Sequence, residues 1–358
     1  MSSLNAQSAQ SDLSFSFCTP QEWSALMALA KNHGVKYLLF EGIMKLPKEQ
    51  QPPSELMLHW YVDTVQAEER FNRYLATLEA LAALMSENDL SMMVIKGYTI
   101  ARAYPLPERR EGGDIDIFLF GEYQKGDDLA SRNGGYALGV SKRSKHSQFV
   151  FQGISVDNHK SFVADSEGLT PKLKIFYGRI EEKIQESTKY NDVDSFELGE
   201  QTIYTLKPHI AALHMIAHAF RHVVVSDVAI RHYCDWVVFF NYHRDVLDRD
   251  ELMALVEECE LGRFVANVEH FCERNLGYTP FFNFGEKYKI EQRARSIESG
   301  VMSYQHKAAD KSNLLPIIVN SLKKMFNAQR YYSIYLGMNS YFDYLVPNIV
   351  SRIKQLCR

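Results

Sequence analysis

The chain has 358 residues, 46% hydrophobic and 23% charged. That composition excludes a disordered, collagen-like or low-complexity protein and suits two or three modest domains with a sizeable core. Lys plus Arg number 40 and Asp plus Glu 44, a net charge of -4, so a dedicated surface for duplex nucleic acid, which needs a basic excess, is not expected.

From the N-terminus, a Ser/Gln/Asn-rich tail of about 13 residues precedes Thr19-Pro20-Gln21-Glu22, which reads as a capped helix start for a helix over 20–33. Lys48 to Pro53 is a polar break. Leu75, Leu78, Leu81, Leu84 and Met85 recur at spacings of three and four within a helix over 54–88. The period then changes to a strand at 91–95, a Lys96-Gly97 turn and a short helix over 98–104. A second strand covers 114–120, a helix 122–133, and three further strand pieces 136–143, 147–152 and 154–162, the last two joined at Gly153.

Past residue 165 the pattern is mostly helical, with a small hairpin near 194–204 and helices over 208–225 and 227–242. The Tyr-rich run Arg330 to Tyr335 has the spacing of a helix core rather than a base-stacking surface. The expected architecture is α+β. It divides into N-terminal tail and helices (1–88), a catalytic core with a small mixed sheet of four or five strands (89–165), and a mainly helical C-terminal part (166–358) that helps to wall the cleft. No apolar run approaches the roughly 18 residues of a membrane span. No signal peptide is recognised, and five scattered cysteines without a Cys-x-x-Cys pair read as reduced thiols. The expected location is the cytoplasm.

The chemistry concentrates in Asp114-Ile115-Asp116-Ile117. Alternation on a strand sends both carboxylates to one face and both isoleucines to the other. Neighbouring carboxylates repel, and a hard divalent cation between them removes the repulsion. Asp157 on a later strand supplies a third carboxylate, with His159 on its face expected to contact the nucleotide's phosphates. Upstream, Lys96-Gly97 before a helix sets backbone N–H groups, the Lys96 ammonium and the Thr99 hydroxyl where phosphates bind, and Arg110 can add to them. Metal at the aspartates and phosphate at Gly97 are the two halves of a nucleoside triphosphate site. Asp192-Val193-Asp194 has the same spacing without that context and reads as a solvated turn.

His214, His218 and His222 share one helix face, and His218 is placed near the nucleotide. Without a fourth ligand at recognisable spacing, this face is expected to be metal-free. Arg231 and Asp235 are four apart on a helix and can pair with each other. Three converging carboxylates also imply that Asp116→Asn leaves metal-free stability unchanged or slightly raised.

The ordered set Lys96-Gly97, Tyr104-Pro105, Arg110 four residues before Asp114-Ile-Asp116, and Val156-Asp157-Asn158-His159 resembles the uncharacterised nucleotidyltransferase family of bacteria. That family lies within the DNA polymerase β-like nucleotidyltransferase superfamily. His214, His218, Arg231 and Asp235 match its helical half, and the resemblance covers about residues 75 to 240. It implies transfer of a nucleoside monophosphate from an NTP to a hydroxyl or phosphate of a small-molecule, glycan or peptide acceptor. Two Mg²⁺ ions (Mn²⁺ as a substitute) would be held by Asp114, Asp116 and Asp157, with Asp157 also able to take the acceptor's proton. Two departures stand out: Lys96-Gly97-Tyr98 replaces the superfamily's Gly-Ser turn, and Asn158 replaces a hydrophobic residue between Asp and His. The competing readings are a metal-dependent glycosyltransferase using a nucleotide sugar and a non-catalytic nucleotide-binding or regulatory module.

Overall fold

A computed structural model of the protein describes residues 18–138, 145–163, 169–189, 192–225, 228–285, 287–288 and 328–338. The N-terminal tail and parts of the expected strand at 136–143 and of the C-terminal third lie outside the described residues. Helices α1 (Pro20–Asn32), α2 (Lys36–Ile43) and α3 (Ser54–Ser86) come first. The start of α1 is a capping box: Glu22 N–H donates to Thr19 Oγ1 at 3.2 Å, and Thr19 N–H donates to Glu22 Oε2 at 2.7 Å. Trp23, Met27, Phe40, Ile43 and Trp60 bind α1 and α2 to the beginning of α3.

The segment that carries most of the sheet follows as β1 (Met93–Val94), α4 (Tyr98–Ala101), β2 (Ile115–Phe118), α5 (Tyr123–Arg132), β3 (Tyr136–Ala137), β4 (His146–Phe151) and β5 (Ile154–His159). Next come α6 (Pro171–Lys189), β6 (Val193–Leu198), β7 (Gln201–Leu206), α7 (Pro208–Val225), α8 (Ile230–Tyr242), α9 (Arg249–Glu258) and α10 (Gly262–Leu276). The architecture is α+β. Its sheet has seven strands in the order β3-β4-β5-β2-β1-β7-β6, with β2–β5 and β1–β7 parallel and the other pairs antiparallel.

The sheet is thus larger than its sequence suggests. The hairpin expected near 194–204 extends it, because β7 pairs with β1 at Met93 and Tyr204. Two strands therefore come from beyond residue 165, where the sequence pattern places a mainly helical segment. Only long-range pairing could reveal this, since a two-residue β1 carries almost no periodicity of its own.

Alternation divides the packing between two faces. Val94, Ile115, Ile117 and Val156 point to one side, where Leu78, Leu81 and Met85 of α3 cover them. Met93, Ile95 and Phe118 point to the other, into a core built with α6, α7, α8 and α10. Tyr331, Tyr332 and Tyr335 are buried in that second core, so the Tyr-rich run is core as its spacing implies. Among the described residues, no helix is long and apolar enough to cross a membrane. Cys18, Cys234, Cys259 and Cys272 are free thiols.

Candidate active site

Strand β2, central in the sheet, carries Asp116 on the face opposite Ile115 and Ile117, the face that packs toward α7 and α8. The parallel register sets Asp116 directly beside Asp157 of β5. Asp114, one residue before β2, is exposed, whereas Asp116 and Asp157 are buried. One carboxylate oxygen from each of the three lies within 4.8 Å of the others. The control pair behaves differently: Asp192 meets Lys207 in a solvated contact, and Asp194 is exposed.

Asp116 is only 2% exposed. Its Oδ1 accepts from Lys96 Nζ at 2.8 Å and lies 3.0 Å from His159 Nε2. Burial alone would raise its pKa, but Lys96, with His159 in support, holds the carboxyl well below the usual carboxylate range. Both contacts use Oδ1, and no described residue bonds to Oδ2. Gln148 Nε2 donates to Asp157 Oδ1 at 2.7 Å, while His146 Nε2 is 3.6 Å from Asp157 Oδ2. Asp116 is thus held through Oδ1, whereas Asp157 is held through Oδ1 by Gln148 and has His146 beside Oδ2.

The three carboxylates, Lys96, Gly97, Thr99, Arg110 and His146 line a cavity of about 420 Å³. Its other wall is helical: His214, His218 and His222 of α7, with Arg231, His232 and Asp235 of α8. Hard carboxylate oxygens at this spacing suit Mg²⁺ or Mn²⁺.

Three expectations are corrected here. His159, read as a phosphate ligand, sits behind Asp116 and does not reach the cavity: it is 1% exposed, with Nδ1 3.1 Å from Ser161 O. It orients a carboxylate instead. Arg231 and Asp235 do not pair. Arg231 Nη1 donates to Glu111 O at 2.7 Å, and Asp235 instead receives Arg110 through Nε at 2.8 Å and Nη2 at 2.9 Å, plus Tyr104 O–H at 2.8 Å. Arg110 lines the cavity, but its fork is committed to this buried carboxylate. Burial would raise the Asp235 pKa, and the Arg110 charge more than offsets it. Finally, α4 ends at Ala101 and is a single turn. Its macrodipole is correspondingly small, so Lys96 and backbone N–H groups carry whatever phosphate affinity the turn has.

Asn158 resolves the departure at that position. It does face the interior, 0% exposed. Its Nδ2 donates to Tyr123 O at 2.9 Å and Asp127 Oδ1 at 2.8 Å, so a polar pair with α5 replaces the usual apolar contact without shifting the strand register. Gly97 has φ +70° and ψ −100°, and a Cβ there would meet Tyr74 Oη at 3.4 Å and Asp114 O at 3.5 Å. There is room, so backbone strain is the cost. Gly97→Ala is expected to destabilise by about 1–3 kcal/mol, measured by urea unfolding.

Sequence reasoning missed Gln148, His232 and the Tyr104–Asp235–Arg110 network. Gln148 was findable. Gln152 and Gly153 both have positive φ, as a two-residue hairpin turn requires, and counting back from that turn pairs Gln148 with Asp157. His232 carries no such signal, since it joins α7 only through the crossing of two helices. Burial lowers the pKa of all three clustered imidazoles: His218 well below its ordinary value, His222 to about 2 and His232 to about 4.

No curated protein matches the chain at a significant level. Among solved structures, it is similar to the antibiotic-resistance factor ANT(2'')-Ia in solution, at 12% identity and a TM-score of 0.36, covering 57% of this chain and 99% of that one. It is also similar to ANT(2'')-Ia in complex with adenylyl-2''-tobramycin, at 12% identity and a TM-score of 0.35, covering 52% and 97%. A family model described as uncharacterised nucleotidyltransferase matches residues 19–277, which span β1 to β7, the three aspartates and the helical wall, and the chain belongs to that family.

Proposed function

We propose that the protein is a divalent-metal-dependent nucleotidyltransferase that moves a nucleoside monophosphate from an NTP to an acceptor hydroxyl or phosphate. Asp114, Asp116 and Asp157 form its catalytic and metal-holding centre. The observation that carries this reading is the convergence of three carboxylates within 4.8 Å on the cavity wall of a family nucleotidyltransferase.

When bound there, Mg²⁺ supplies charge neutralisation and alignment for in-line displacement at the α-phosphate. The protein's own residues do the rest. Lys96 and the Gly97 turn receive the phosphates, with Thr99 offering a hydroxyl from the same wall. Asp116, fixed by His159, turns Oδ2 to the cavity. Asp157, fixed by Gln148 through Oδ1 and with His146 beside Oδ2, takes the acceptor's proton as the new O–P bond forms and pyrophosphate departs. His218 faces the nucleotide from α7. The acceptor is a small molecule, or a glycan or peptide end, that enters between sheet and helices. Residues 89–165 act as the catalytic core with help from β6 and β7, α3 backs the sheet, and α7 and α8 wall the cavity.

Lys96 has a second duty, as the counter-charge of Asp116 in the metal-free protein. Thermal melts test both roles. Wild type is expected to gain stability from Mg²⁺ plus NTP, by about 2.7 kcal/mol at a hundredfold excess over Kd, and far less from NTP alone. Lys96→Met is expected to lower the metal-free melting temperature and to weaken the NTP-dependent gain. An equal gain from NTP with and without metal would count against the reading.

A further inference from the structure

The histidine wall does not match the set suggested by its spacing. His214 Nε2 lies 3.3 Å from Phe162 O and turns away from the others. In its place His232 of α8 joins His218 and His222, and one ring nitrogen from each of these three lies within 4.8 Å of the others. The third partner that the helix face lacks is therefore supplied by a different helix.

We infer that His218, His222 and His232 form a second metal site, selective for a borderline transition-metal dication such as Zn²⁺, with its open coordination position on the transfer cavity. The first support is geometric. His218 Nε2 and His222 Nε2 are 3.2 Å apart. Two imidazole nitrogens on one tetrahedral zinc, at bond lengths of about 2.0–2.1 Å, stand roughly 3.3–3.4 Å apart. The pair is thus already near ligating separation, with ring centroids at 4.5 Å. His232 closes on the same point, its ring 4.6 Å from that of His222.

The second support is the outer hydrogen bond. His232 Nδ1 lies 3.2 Å from Ala229 O. A carbonyl only accepts, so Nδ1 carries the proton and Nε2 keeps its lone pair. Metal-ligating histidines are fixed in this way. The third support is chemical: three imidazoles and no carboxylate form a nitrogen site, which suits Zn²⁺ and its neighbours and not Mg²⁺. The aspartates opposite form an oxygen site, so the two walls of one cavity select different metals. All three histidines line the cavity, which leaves the fourth position facing it. Lys96, Lys145, Arg221 and Arg231 set a positive potential around the cluster. Asp235 is the opposing charge beside His232, and the open position on the cavity suits an oxygen ligand such as hydroxide, phosphate or a carboxylate.

The site shares its cavity and His218 with the proposed transfer site, but its test reads metal binding and does not depend on the transfer reaction. Full-length protein without a His tag, stripped with chelator, is titrated with Co²⁺ in excess Mg²⁺. The expected result is one equivalent bound with the intense visible bands of tetrahedral cobalt, displaced by Zn²⁺. His232→Gln and His218→Gln should each weaken Co²⁺ binding roughly 100-fold or more, beyond the cost of losing an outer hydrogen-bond partner. Two different helices are probed, and circular dichroism confirms that each variant is folded. His214→Gln and Asp116→Asn should retain the tetrahedral spectrum. No tetrahedral Co²⁺ in the wild type would overturn the assignment. Binding that survives both folded variants, or binding lost only with Asp116→Asn, would do so as well.

Discussion

Asp116→Asn is expected to abolish nucleotidyl transfer and to lower metal-free stability by about 2–3 kcal/mol. The loss of activity follows from losing a metal-facing oxygen charge at the centre of the cavity. The stability change has the opposite sign to the one that three mutually repelling carboxylates would give. Lys96 at 2.8 Å and His159 at 3.0 Å already balance Asp116 inside the protein. Removing the charge leaves the half-buried Lys96 ammonium facing a neutral amide oxygen, which can accept its hydrogen bond but does not balance its charge. The pH dependence follows from the same pair. The folded-state pKa of Asp116 is depressed, so its contribution is present in full above the unfolded carboxylate value of about 4. It is lost as pH falls from there through the lower folded value. Urea unfolding of wild type and variant should therefore differ at pH 7 and converge on acidification below about pH 4. A variant as stable as wild type at neutral pH would contradict the pairing.

Arg110→Met carries the largest expected loss of stability, about 3–5 kcal/mol. It leaves Asp235 as an uncompensated buried charge between Tyr104 and the β2 approach, where the bidentate fork now holds α8 against the segment that leads into β2. Arg110→Lys should rescue little, because an ammonium cannot reproduce two parallel bonds. The double change Arg110→Met with Asp235→Leu should recover part of the loss, since an apolar pair no longer leaves a charge unpartnered. Differential scanning calorimetry of the three variants checks the order. Equal melting temperatures for Arg110→Met and wild type would show that the pair contributes nothing.

What was legible in the sequence is what local spacing encodes. The Thr19 cap, the α3 stripe, the Asp114-Ile-Asp116 alternation and the Gly153 turn each state their geometry within a few residues. Strand β1 could not be sized, and β6–β7 could not be assigned to the sheet, because strand pairing at a separation of over a hundred residues leaves no periodic trace. The same holds within the cavity. The motif placed Arg110 and Asp235 in the chain order of the family, but not in contact with each other. His159 was assigned to the ligand-facing side by its alternation with Asp157, yet it lies at the strand end, where the chain turns towards Ser161 and buries the ring. Side-chain destinations set by helix crossings, as for His232, are the part a single sequence withholds.

The most direct test of the transfer chemistry is the fate of the label from α-³²P and γ-³²P NTPs, supplied with Mg²⁺ and a fractionated small-molecule extract as acceptor source. The expected result is a labelled product from the α-labelled nucleotide alone, release of the γ label in pyrophosphate, and no product from Asp116→Asn. Transfer of the γ label to an acceptor, or undiminished α-label transfer by Asp116→Asn, would contradict it.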